Sequence, residues 1–214
     1  GKSFNFSGIG LHTGIKSNVC VVPEKENTGI LFERTDIKFD NTIEALWTNV
    51  SSTKLCTVIS NKANISVSTI EHLMSALSGM HIDNARVKIN GPEVPIMDGS
   101  AKVFVDYIEE SGIINQKKDR KSIRVLKEVL VEENDSYVKI RPNNQFSIDF
   151  EIDFPSSIIN NQSCHLQMVN GNYKEDVSKA RTFGFEDEVE QLRSSGYALG
   201  GSLSNAVVIG KNSI

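Results

Sequence analysis

The chain has 214 residues, 39% hydrophobic and 23% charged, with a net charge of −4. This is ordinary globular composition, long enough for one large or two small domains. No basic stripe alternates with aromatics, which argues against nucleic-acid binding, and no apolar run is long enough to span a bilayer.

Cys20, Cys56 and Cys164 are odd in number and show no CxxC spacing, so they read as reduced thiols in a cytoplasmic protein. The chain opens without Met or a charged-then-apolar leader. It stops after the strand-like run Ala206ValValIle209 and GlyLysAsnSerIle. Both ends read as cut, and a C-terminal truncation is expected.

In chain order, a strand is predicted over Ser17–Pro23 and another over Gly29–Glu33. A helix is predicted from about Thr69 to Met80, with Ile70, Leu73, Leu77 and Met80 as its apolar stripe. A strand over Asn84–Ile89 and a turn-rich loop, Gly91–Ala101, follow. Ser100 is a good N-cap for a second helix that runs to about Glu110 and ends at Gly112, with Val103, Phe104, Tyr107 and Ile108 on its apolar side. After the polar stretch Asn115–Lys121 come strands over Ser136–Pro142 and Phe146–Phe154, a helix over Phe185–Ser194 closed at Gly196, and the glycine-broken run Tyr197–Leu203.

Two segments repeat at an offset of 119 residues. Ser17–Pro23 answers to Ser136–Pro142, each strand stopped by Pro and followed by a further strand, and Lys2-Ser3 answers to Lys121-Ser122. The expected fold is therefore α+β: a duplicated two-layer sandwich of two domains, 1–118 and 119–214, each with a mainly antiparallel sheet packed on helices, the second incomplete.

The chemistry concentrates at Glu71-His72, side by side at the start of the first predicted helix. Ser68-x-x-Glu71 has the form of a capping box, in which Glu71 caps and His72 is an ordinary half-exposed side chain. The other reading is a hydrolytic metal site, with the His as ligand and the Glu as base. Neighbouring helical residues point about 100° apart and do not readily bind one ion together. His72, Ala76 and Gly79 lie on one helical row, and the two small residues leave room for a ligand or a neighbouring backbone.

With Glu71-His72, Ile96MetAspGlySerAla101 and Ala180ArgThrPheGlyPhe185, together with Gly8IleGlyLeuHisThrGly14 and Leu199GlyGlySer202, the chain resembles the zinc-dependent UDP-3-O-acyl-N-acetylglucosamine deacetylases of lipid A biosynthesis. The motifs occur in order over essentially the whole chain. The resemblance implies a duplicated α+β fold with the active site between domains, and hydrolysis of the acetamide of an acylated UDP-glucosamine. It makes His72 a zinc ligand, Glu71 the general base, and Thr182 the hydroxyl that donates to the oxyanion.

By the same match, Val189, Ala198, Gly201, Ser202, Leu203, Ala206 and Val208 line a passage for the fatty-acyl chain. Leu11, Leu55 and Cys56 line the site from the first half, with His12 as a substrate-side or hydrogen-bonding histidine. Asp153 and Phe154 fall near the uridine, and Phe183 belongs to the substrate-binding ArgThrPheGly segment. For the passage residues the alternative is plain strand core, and for Phe154 a core position at a strand end.

The family's remaining zinc ligands come from a His-Lys-x-x-Asp motif, and a further catalytic His lies beyond it; neither is present here. The histidines are His12, His72, His81 and His165. His81 is expected to meet the first helix's C-terminal dipole, and His165 has no assigned chemistry. A catalytic zinc needs about three protein ligands, so the other ligands are expected beyond residue 214 and the fragment alone is expected to be inactive, with an exposed apolar surface on its second half. Ligand type alone suits Zn or Fe. The alternative function is a non-catalytic nucleotide–lipid binding module. The expected partner is a UDP-linked acylated amino sugar, met by a monomer that touches the inner membrane surface at most transiently.

Overall fold

The computed structural model describes residues 1–169 and 171–211; the end of the final run, residues 212–214, lies outside them. The fold is α+β with mainly antiparallel sheets. In the first half, β1 (Phe4–Ile9), β2 (Lys16–Pro23), β3 (Ile30–Arg34), β4 (Thr42–Glu44) and the later β8 (Ala85–Ile89) form one sheet in the order β1-β2-β8-β3-β4, parallel only between β3 and β8. A smaller antiparallel sheet joins β5 (Val50–Ser52), β6 (Val58–Ser60) and β7 (Ser66–Val67). Helices α1 (Glu71–Gly79) and α2 (Lys102–Ser111) pack together and close the core.

The alternation of side chains explains the sheet. Val19 and Val21 on β2 face Ile89 and Val87 on β8, and Phe32 on β3 faces Val87 and Ile43; all are buried. Leu73 and Leu77 of α1 and Phe104, Val105 and Ile108 of α2 cover them. Each such side chain contributes about 1.5–3 kcal/mol by leaving water. The apolar side of α2 is thus set by Val105 rather than Val103, which is only half-buried, as is Tyr107. The C-terminal end of α2 follows its expected chemistry, whereas at the other end Ala101, not Ser100, takes the cap position, with no side-chain cap. Ser100 Oγ accepts the Lys102 N–H at 3.1 Å, and Gly112 adopts a φ of 72° that most side chains resist.

The second half is built of smaller pieces. Strands β9 (Val129–Glu133) and β10 (Ser136–Ile140) form a hairpin, as do β11 (Ser147–Asp153) and β12 (Asn161–Gln167). β13 (Phe183–Phe185) pairs in parallel with β14 (Val207–Ile209), and α3 (Val189–Ser194) lies between them in sequence. The helix expected over Phe185–Ser194 is shorter than that, because Phe185 ends β13 and Glu186–Glu188 form a 3-10 turn. Apolar side chains on the hairpins, including Val131, Tyr137, Val138 and Phe150, face solvent. The expected uncovered apolar surface is therefore present on this half.

Tyr173 ties the second half to the first. It lies in a π-helical turn (Tyr173–Val177), is buried in the first half's core, and shares a 2.7 Å hydrogen bond with Ser75 of α1.

Candidate active site

Helix α1 starts at Glu71, with Ile70 at the cap position and no side-chain cap. The capping box does not form. Ser68 Oγ donates instead to the Pro92 carbonyl at 3.2 Å, and Glu71 Oε2 accepts the Thr57 N–H at 3.0 Å. Partners distant in sequence but close in space have displaced the local pairing, which leaves the Glu71 carboxylate free of cap duty. Glu71 borders an open recess of about 440 Å³ walled by Leu46, Trp47, Val50, Ile59 and Met74.

His72, the next residue, is half-buried. Burial pushes its imidazole below its usual value, against the opposing pull of the Glu71 and Asp98 carboxylates. The ring therefore favours the neutral form that a ligand histidine needs. The space above Ala76 and Gly79 is taken by a side chain rather than left for a ligand or backbone. A Cβ on Gly79 would lie 2.3 Å from the Tyr173 ring.

The loop Gly8–Gly14 meets the segment Tyr197–Gly201. Ala198 N–H donates to His12 Nδ1 at 3.4 Å, Leu199 N–H to the His12 carbonyl at 3.1 Å, and Gly200 N–H to the Leu11 carbonyl at 3.0 Å. An accepting Nδ1 places the proton on Nε2, and that buried nitrogen has no partner among the described residues. Beside the expected Leu55 and Cys56, Lys54 Nζ lies 5.3 Å from the centre of the Tyr197 ring; Leu55 is exposed and Cys56 half-buried. Burial pushes the Cys56 thiol up from its usual value.

Thr182 directly precedes β13 and is tied to the loop after β8. Its N–H donates to the Gly99 carbonyl at 2.8 Å, and its carbonyl accepts from Val207 at 2.9 Å. Next to it, Phe183 joins Phe154 and Phe185 in an aromatic cluster with ring centres 5.6–5.9 Å apart. Asp153 is exposed at the end of β11. Of the expected passage residues, Val189, Ala198, Gly201, Ala206 and Val208 are half-buried, whereas Ser202 and Leu203 are exposed.

Two histidines differ from expectation or lie apart. His81 closes α1 through its backbone, at φ 58° with its N–H on the Ser78 carbonyl, while its exposed ring meets Arg120. His165 pairs with Asp149 across an exposed face of the β11–β12 hairpin.

One residue of this region has no sequence signal. Glu93 carries a carboxylate yet is completely buried, and it accepts from His12 N–H, Thr13 N–H, Thr13 Oγ1 and Thr69 Oγ1 at 2.7–2.9 Å. A Glu in a turn-rich GlyProGlu sequence reads as a solvated loop residue. The nearest clue is Gly10, where a Cβ would come within 2.3 Å of Glu93 Oε2.

The donor set does not amount to a zinc site. Among the described residues no three His, Cys, Asp or Glu side chains gather closely enough to hold a metal ion. His72 is a single candidate ligand.

An α+β frame that sets a carboxylate not used for capping beside an imidazole held toward its neutral form has the makings of a hydrolase. The chain belongs to the LpxC family, described as UDP-3-O-acyl N-acetylglycosamine deacetylase, which matches residues 1–214. It is 42% identical over 210 residues to the UDP-3-O-acyl-N-acetylglucosamine deacetylase of Shewanella frigidimarina, covering 97% of this chain and 69% of that protein. It is 46% identical over 214 residues to the protein of that name from Geobacter sp. strain M21, covering 100% of this chain and 70% of the relative. The Nautilia profundicola protein of the same name is 46% identical over 202 residues, covering 94% and 68%.

Proposed function

We propose that this chain carries the Glu71-His72 part of the active site of a UDP-3-O-acyl-N-acetylglucosamine deacetylase in lipid A biosynthesis. Water adds to the acetamide carbonyl, the C–N bond breaks, acetate leaves and the amine takes up a proton. Glu71 removes the proton from the attacking water and returns it to the amine. Thr182 Oγ1 donates to the oxyanion. His12 offers the Nε2 proton to the substrate.

The acyl chain lies along Val189, Ala198, Gly201, Ser202, Leu203, Ala206 and Val208, with Leu11, Leu55 and Cys56 opposite. The uridine end lies toward Asp153, Phe154 and Phe183, where an aromatic face suits a base. Supporting this reading are the family match over the whole chain and a Glu71 carboxylate that is not spent on capping.

His72 is proposed as one zinc ligand, the others lying outside the described residues. On that basis the 214-residue chain alone hydrolyses substrate negligibly, and a stoichiometric tight zinc with turnover in this fragment would overturn the assignment. We place the boundary between two related domains at residues 118–119, and the protein as a monomer in the cytoplasm with at most passing contact with the inner membrane. No helix among the described residues is long and apolar enough to cross a membrane. If the full-length protein binds the UDP-sugar without hydrolysing it, the binding-module reading replaces the enzyme.

The decisive experiment is Glu71→Gln in the full-length protein. Gln keeps the size and can still accept from Thr57. The expected result is a fall in kcat of about 10²–10⁴ with melting temperature unchanged; normal turnover would refute the base assignment.

A further inference from the structure

We infer that Glu93 is a positioning residue that holds the Glu71-His72 pair and the His12 loop in one geometry. Its segment is tied by backbone to the approach of α1: Ser68 N–H donates to the Pro92 carbonyl at 2.9 Å, and Val94 N–H to the Ser68 carbonyl at 3.1 Å. Its carboxylate then divides its acceptance. Oε1 takes His12 N–H at 2.9 Å and Thr69 Oγ1 at 2.8 Å, and Oε2 takes Thr13 N–H at 2.8 Å and Thr13 Oγ1 at 2.7 Å.

Thr69 is the critical link. It is buried and has a φ of 55°, a conformation that a β-branched residue adopts only when its surroundings impose it. The hydroxyl bond to Glu93 is the side-chain contact that does so, and the chain leaves Thr69 directly into Ile70 and α1. Through Thr69, Glu93 sets where the first turn of α1 begins. Through the His12 and Thr13 amides it sets the loop whose imidazole meets Ala198. Gly10 must lack a side chain because the carboxylate lies against it. A fully paired buried carboxylate suits this task, since every one of its donors becomes an unsatisfied polar group if it is lost.

The kinetic arm of the test rests on the deacetylase reading; the structural arm does not. In the full-length protein, Glu93→Gln places an amide N–H₂ against donors. Thr69→Val removes the hydroxyl but keeps the branch, and Thr69→Ser keeps the hydroxyl. The expected result is a kcat at least tenfold lower in folded Glu93→Gln and in Thr69→Val, KM within about threefold of wild type, recovery in Thr69→Ser, and a double variant no worse than the poorer single.

A role in stability alone would lower the melting temperature and leave kcat per folded molecule intact, and that result overturns the inference. If Glu93→Gln does not fold, the Thr69 pair decides: equal turnover in Val and Ser overturns it, and loss in Val with recovery in Ser upholds it. If the wild-type protein does not hydrolyse the substrate, the deacetylase reading fails by itself. The ring NMR signals of His12 and His72 then decide: both moving in folded Glu93→Gln and His72 moving in Thr69→Val supports positioning, and unmoved signals refute it.

Discussion

The imidazole of His72 is held toward its neutral form by burial, against the opposing pull of the Glu71 and Asp98 carboxylates. This has a consequence for stability in the metal-free chain. A histidine whose folded pKa lies below its unfolded value, about 6.5, binds fewer protons folded than unfolded. Its favourable contribution is complete above that unfolded value and is lost as pH falls through the folded one. Urea unfolding of the metal-free protein should give a lower midpoint at pH 5 than at pH 7, by more than in His72→Gln. An identical decrement in both would contradict the burial argument. At this scale the sequence is legible only in part. The Glu71-His72 pair stands out because the two residue types are adjacent on a helix. The role of Ser68 was misleading, because its local partner Glu71 is taken by Thr57, fourteen residues away in sequence. Glu93 was invisible, because nothing in a GlyProGlu turn signals that four donors from elsewhere converge on it.

Among the elements, α1 is fixed from both sides. Leu73 and Leu77 bury its inner face, and Tyr173 lies across Gly79 with its hydroxyl on Ser75. Gly79→Ala would gain about 1 kcal/mol of helix propensity. It would also drive a methyl to 2.3 Å from a buried ring, and overpacking of that kind costs about 1–3 kcal/mol. The expected outcome is a net loss of stability by urea titration. Combining it with Tyr173→Ala should restore part of that loss, since the obstacle is then gone. Strands β2 and β8 and the C-terminal end of α2 were legible because their signals are local: alternating Val19 and Val21, Ala85, Val87 and Ile89, and Gly112 at the helix end. β12 was not, because its sequence, AsnGlnSerCysHisLeuGln, pairs along an exposed hairpin where neither face demands apolar residues.

Across the whole molecule, the first half holds nearly all the buried side chains, while β9 to β12 expose theirs. Opening free energies follow buried contacts. Amide exchange should therefore be slowest on β2, β3 and β8 and fastest on the β9–β10 hairpin, with a gap wide enough to separate the two groups. Uniform protection would mean that the hairpins are covered in solution. β2 and β10 lie 119 residues apart and each pairs with the strand before it. The β1–β2 connection carries His12, whereas the β9–β10 connection is only Asn134-Asp135.

The stitching around Gly99 has a further consequence. Ala101 N–H bonds to Ser178, Thr182 N–H to Gly99, and Arg181 Nε to the Asp98 carbonyl, while Tyr173 is sunk in the other half's core. Covalent continuity through the exposed stretch between α2 and β9 is then dispensable for keeping the pieces together. A backbone nick there should release no fragment: the severed parts should travel as a single particle on a sizing column, and two separately expressed polypeptides divided at that point should reassemble on mixing.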